Sequence, residues 1–261
     1  MRAGGLLTVL VLSAALTACG TPRAVDSVRQ ARPAFRVLVF TKTTGYRHES
    51  IPAGIAAIER LGRRHRFAVD HTEDSRRFTN RSLARYDAVI FLSATGDPLD
   101  RNAQKRAFRR YIQRDGGFLG IHAASDGPRT WRWYKGLIGA RFIGHAPGTP
   151  AAVVRVEQPR TAATRGLPGA WRRVDEWYSF LSSPRSRVRV LATVDERTYD
   201  PRDTAMGRDH PIAWCHRYDG GRSVYTAMGH TGGSFAEPRF VAHLLGSIRM
   251  AAGEAPFDCA P

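Results

Sequence analysis

Lysine is almost missing from this 261-residue chain: Lys42, Lys105 and Lys135 stand against 37 arginines. The formal net charge of +17 therefore rests on arginine, a skew that genome base composition produces without any binding function. The arginines are scattered and form no stripe or arm, so they do not read as a nucleic-acid footprint and no nucleic-acid partner is expected. Cysteine is scarce too, at positions 19, 215 and 259. No Cys-x-x-Cys or Cys-x-x-His pair is present, which argues against structural zinc. No Gly-x-Gly-x-x-Gly follows the first candidate strand, which disfavours a nicotinamide dehydrogenase. There is no internal repeat, no low-complexity block and no second long apolar run. What remains, 43% hydrophobic and 24% charged, is globular and long enough for one large domain or two small ones.

The first 18 residues read as a secretory leader, with Arg2 followed by an apolar run from Leu6 to Leu16 that is too short for a mature membrane span. The run ends in Leu16-Thr17-Ala18-Cys19-Gly20, which resembles the bacterial lipobox. Lipidation at Cys19 is therefore expected, with residues 19–34, containing Pro22 and Pro33, as a tether. The localisation expected is extracytoplasmic, on the membrane through that anchor, where a basic surface adds attraction to anionic headgroups. That compartment is oxidising, so Cys215 and Cys259 are expected to form a disulfide that pins the 253–261 tail.

From residue 35 onward strands and helices alternate. Phe35–Phe40, Phe67–Val69, Ala88–Leu92 and Phe118–His122 read as strands. Helices are expected after Ser50 as a cap, with Ile51, Ile55, Ile58 and Leu61 on one face, and after Asp100 as a cap, through Phe108, Tyr111 and Ile112 to Gly116-Gly117. Such alternation argues a doubly wound α/β sheet whose ligands collect beyond the carboxyl ends of the strands. The second half is richer in strands: 153–156, 176–180, 188–194, 212–216 and 223–228, with Asp219-Gly220-Gly221 as a hairpin. A last helix spans about 238–252.

Of nine histidines, His48, His122, His145, His210, His216 and His230 fall at or near predicted strand ends, whereas His65, His71 and His243 read as surface or packing residues. Carboxylates accompany them: Asp126 four residues past His122, Asp175-Glu176 before Trp177-Tyr178, and Asp209 beside His210. A carboxylate beside an imidazole fixes its tautomer and raises its basicity, as general acid/base catalysis requires. The same groups can ligate a divalent metal, although no His-x-x-x-His spacing is present. Trp131, Trp133, Tyr134, Trp177, Tyr178 and Trp214 could stack on the C–H faces of a sugar, core packing being the alternative reading.

The segments Thr41–His48, Gly116–Asp126, Asp175–Tyr178, Asp209–Pro211 and Met228–Thr231, in this order, resemble the ThuA-like (trehalose utilisation) family over about residues 35–252. The resemblance implies a flavodoxin-like, class I glutamine amidotransferase-like sheet, here with a β-rich C-terminal extension. In amidotransferases the turn after the corresponding strand carries a Cys nucleophile in Gly-x-Cys-x-Gly. Here it reads Gly120-Ile121-His122-Ala123-Ala124, so thioester chemistry is not expected and proton transfer by the imidazole is. The expected function is a lyase, hydrolase or isomerase acting on a sugar or oxidised disaccharide. His122, Asp126, His48 and His230 would be catalytic, and Tyr46, Trp133, His145, Glu176, Tyr178, Asp209 and His210 would bind substrate. No cofactor is expected; the alternatives are a hydrolase using zinc or manganese and a non-catalytic carbohydrate-binding protein.

Overall fold

The computed structural model describes residues 33–261, together with positions 1 and 4; the expected leader, Cys19 and most of the tether lie outside the described residues. Short apolar strands linked by helices begin the fold, in the order β1 (Arg36–Phe40), α1 (Ile51–His65), β2 (Ala68–Thr72), α2 (Asn80–Leu83), β3 (Ala88–Leu92), α3 (Asn102–Gln113) and β4 (Gly117–Ile121). The chain continues through α4 (Arg132–Ile138), β5 (Phe142–His145), β6 (Ala151–Val156), β7 (Ala170–Val174), β8 (Tyr178–Phe180), β9 (Arg189–Asp195), β10 (Pro211–Tyr218), β11 (Gly221–Thr226) and α5 (Pro238–Ala252). Nine strands form one sheet in the order β2-β1-β3-β4-β11-β10-β9-β6-β7, while β5 and β8 pair separately.

The strands from β2 to β11 run parallel, and those from β11 to β7 pair antiparallel. The order 2-1-3-4 with β11 in fifth place is that of a flavodoxin-like sheet. Its β-rich extension carries that sheet onward. Strand β3 is buried at every residue, as a strand covered on both faces must be. Its adjacent residues Phe91 and Leu92 point to opposite faces. Phe91 packs on Phe78, Phe108 and Tyr134 from the α3 and α4 side, and Leu92 lies against Gly54 of α1. Helix α5 covers β4 and β11 with Phe240, Leu244 and Ile248.

Several local expectations shift. Ser50 precedes α1 but does not cap it: its hydroxyl donates to the Gly229 carbonyl, 3.1 Å away. Asp100 does not cap α3 either. It accepts from Ser75 and pairs with Lys42, and Gln104 instead closes on the Arg101 amide. The fourth strand stops at Ile121, leaving His122 in the 3-10 turn His122–Ser125. Cys215 and Cys259 are joined by a disulfide that ties the C-terminal tail to β10. Among the described residues no helix is long and apolar enough to cross a membrane.

Candidate functional site

Three histidines stand just past the carboxyl ends of parallel strands: His48 after β1, His122 after β4 and His230 after β11. Glu176 joins them from the link between β7 and β8, in the antiparallel half. Each offers one ligand atom, and these atoms lie within 4.8 Å of one another. The place is the one doubly wound sheets reserve for ligands, beside the switch between β1 and β3.

His122 is the most constrained member. It is fully buried with φ at 50°, in the left-handed region that costs an L-residue about 1–2 kcal/mol. The Tyr225 hydroxyl donates to its carbonyl at 2.8 Å, holding the turn. The Nδ1–H donates to the Ala227 carbonyl at 2.7 Å. A carbonyl only accepts, so in the neutral ring this bond fixes the tautomer and leaves a bare lone pair on Nε2. That atom faces His230 Nδ1 at 3.1 Å and Glu176 Oε2 at 3.4 Å.

Glu176 Oε2 lies 3.0 Å from His230 Nδ1, and its Oε1 lies 3.2 Å from His145 Nδ1. Burial alone would raise the Glu176 carboxyl, but hydrogen bonding and charge from the imidazoles around it, with His230 Nδ1–H donating, outweigh it and hold it below the usual carboxylate range. The hydrogen bond to Glu176 raises the His230 imidazole in turn. His48 meets His122 and His230 edge-on, with ring centroids 4.7 and 5.2 Å away. Burial above all lowers it to about 3, so it stays uncharged. Its Nδ1 is buried without a hydrogen-bond partner. Tyr178 walls the centre, its ring 4.2 Å from that of His122 and its hydroxyl 3.5 Å from His48 Nε2. The side chains of His230 and His145 are part-exposed, 24% and 37%, and mark the side from which a ligand enters.

Three imidazoles and a carboxylate can therefore hold a metal ion. Bonds of about 2.0–2.1 Å in tetrahedral array separate ligand atoms by ~3.3 Å, close to the 3.0–3.4 Å among His122, His230 and Glu176. The same contacts make a proton relay when no metal is bound.

The family assignment follows from sequence as well as shape, for the ThuA family, described as trehalose utilisation, matches residues 36–251. The chain belongs to the ThuA family. No curated protein matches it in sequence. Among solved structures, a ThuA-like protein from Bacteroides uniformis is 23% identical, with a TM-score of 0.73 over 88% of this chain and 94% of that one. A ThuA-like protein from Parabacteroides merdae is 20% identical, with a TM-score of 0.69 over 87% and 92%. A GMP synthase component from Thermoplasma acidophilum, 12% identical with a TM-score of 0.52 over 84% and 95%, shares the amidotransferase-like fold.

Within this ThuA domain the remaining expected site residues are distributed unevenly. Tyr46 is exposed and edge-on to His48, with ring centroids 4.8 Å apart. His210 is buried beneath the centre, bonded to Glu196 and to the Tyr178 carbonyl, and so supports the Tyr178 backbone. Asp126 makes none of the hydrogen bonds of the centre; burial raises its carboxyl, and it pairs with Arg129 at 4.0 Å. Asp209 is held by Ser183 and Arg185. Trp133 donates to Asp219 at the β10–β11 hairpin, at the amino ends of the parallel strands. Sequence reasoning noted Asp175 as a carboxylate but missed its role in fixing the backbone, for which its place beside Glu176 was the available signal.

Proposed function

We propose that this ThuA protein is an extracytoplasmic, lipid-anchored enzyme acting on a sugar or oxidised disaccharide, with His122 as the proton-transferring group. The observation that carries the reading is the inward Nε2 lone pair of His122, fixed by Ala227 and set beside His230 and Glu176. A bare imidazole nitrogen in that position takes a proton from a substrate carbon or hydroxyl, and the His230–Glu176 pair stabilises the charge that results. Cysteine chemistry is unsupported here, since Cys215 and Cys259 are bonded to each other. The sugar reading is supported by the description of the family and by Tyr46, whose exposed ring offers a stacking face beside His48. The anchor and compartment are supported by the Leu16–Gly20 motif and by the oxidised cysteine pair.

A second reading, a hydrolase using zinc or manganese, is favoured by the donor separations and by the partnerless His48 Nδ1. When bound, the metal would polarise a substrate oxygen or acidify a water. His48, His122, Glu176 and His230 would hold it.

Oxidised and unoxidised disaccharides, screened by thermal shift and then by product analysis, test the proposal. Wild-type protein should transform at least one sugar that stabilises it, and His122→Ala should abolish turnover while the fold and the thermal shift persist. Unchanged turnover in His122→Ala contradicts the assignment, and recovery of every bound sugar intact reduces the protein to a binder. Metal analysis of the purified domain decides the second reading: about one zinc or manganese per chain supports it, and none opposes it.

A further inference from the structure

We propose that Asp175, clamped by Arg173, is the positioning residue of the His122–Glu176–His230 centre, and that its carboxylate sets the distance between Glu176 and His230. Asp175 is fully buried and surrounded by donors. Its Oδ1 accepts from the Glu176 amide at 3.0 Å and from the His230 amide at 2.9 Å. Its Oδ2 accepts from the Gly229 amide at 2.9 Å, the Ser234 hydroxyl at 3.4 Å and Arg173 Nη2 at 3.0 Å. One carboxylate thus holds the backbone of two residues of the centre that are remote in sequence. The carbonyl of Gly229 accepts from Ser50, two residues past His48, so the same turn reaches a third segment.

Arg173 is buried as well. It pairs with Glu237 at 3.1 Å and lies over the Phe240 ring at 4.8 Å, which leaves its guanidinium little freedom. A buried ion pair is a weak source of stability compared with apolar side chains of the same volume. Here its geometry is used, because apart from the Ser234 hydroxyl the remaining donors to Asp175 are backbone amides that carry the centre. Asp175 is not one of the ligand atoms of the centre and acts through Glu176 and His230 alone. The proposal rests on the metal reading of the centre only for its zinc measurement.

Asp175→Asn is the test. The amide keeps one oxygen for the Glu176 and His230 N–H groups but turns an NH2 toward Gly229 N–H and Arg173. Leu244→Ala, in the buried face of α5, serves as a destabilised control. Zinc affinity by chelator competition, the visible spectrum of the cobalt-substituted protein, and amide exchange at Gly229 and His230 are compared. Asp175→Asn should weaken zinc binding by about 10–100-fold and change the cobalt spectrum, with Leu244→Ala altering neither. Wild-type affinity and spectrum in Asp175→Asn, or an equal loss in Leu244→Ala, overturn the proposal. If the wild-type protein takes up no zinc, the metal reading falls and exchange decides alone. Exchange at Gly229 and His230 at least about tenfold faster than in the control supports positioning, and equal exchange refutes it. Should Asp175→Asn not fold, Arg173→Lys, which keeps the charge but loses the planar fork, carries the same expectations.

Discussion

His122 and Gly229 both hold backbone angles that most residues avoid, and they do so just past the ends of the neighbouring strands β4 and β11. His122 at φ 50° is held by Tyr225 and Ala227, whereas Gly229 at φ 116° has no side chain to obstruct. A Cβ at Gly229 would lie 3.3–3.4 Å from Ile121, Phe235 and Phe240 in a conformation that L-residues rarely adopt. Gly229→Ala is therefore expected to cost about 1–3 kcal/mol and to displace His230; chemical denaturation checks it, and a loss below about 0.5 kcal/mol contradicts it. At this scale the sequence was informative where a residue lay in the segment that leaves the carboxyl end of a strand, which is why His48, His122 and His230 were legible. Asp126 was not. Four residues past His122 would place it above the imidazole on an α-helix, but the intervening turn is 3-10, with three residues per turn, and the carboxylate swings away to Arg129. Trp133 failed for another reason: an aromatic beside a site motif can face either end of the sheet, and this one is drawn to Asp219.

Among elements, α5 shows how a helix of ordinary pattern carries a pH response. His243 is buried in it, with Nδ1 donating to the Ala163 carbonyl. Burial lowers it to about 4, with Arg173 adding to the effect. Because the folded value lies below the unfolded one of 6.5, stability is intact above pH 6.5 and falls as the unfolded state takes up its proton on acidification. Between pH 6.5 and 5 this residue should cost up to about 2 kcal/mol. His243→Asn, which keeps a donor for Ala163, should lose less stability over that interval than wild type; parallel losses contradict the assignment. Strands β1, β3 and β4 and the last helix were legible because their residues are almost wholly apolar or apolar at helical spacing, whereas β2, with Asp70, His71 and Thr72, was read only at its start. Strand β7 was not, since Arg173 occupies one of its inward positions and breaks the alternation. Strand β5, of four residues, carries too little pattern to read.

For the molecule as a whole, the parallel half of the sheet supplies three imidazoles and the antiparallel half supplies Glu176, so the centre exists only when both are joined. The disulfide ties the C-terminal tail to β10, in the antiparallel half, across a sequence separation of 44 residues. Chain entropy puts its contribution at about 4 kcal/mol, and Cys215→Ser/Cys259→Ser should lose a comparable amount in denaturant titration; a loss under about 1 kcal/mol contradicts it. The arginine surplus has no counterpart in the centre, whose charges come from glutamate and imidazole. The proton-transfer and metal readings both depend on one thing, a bare Nε2 on His122. Nitrogen-15 NMR of the metal-free protein at neutral pH, read at the two ring nitrogens of His122, measures it directly. In the neutral ring the expected result is a proton on Nδ1 and none on Nε2; a neutral ring protonated at Nε2 contradicts both readings at once.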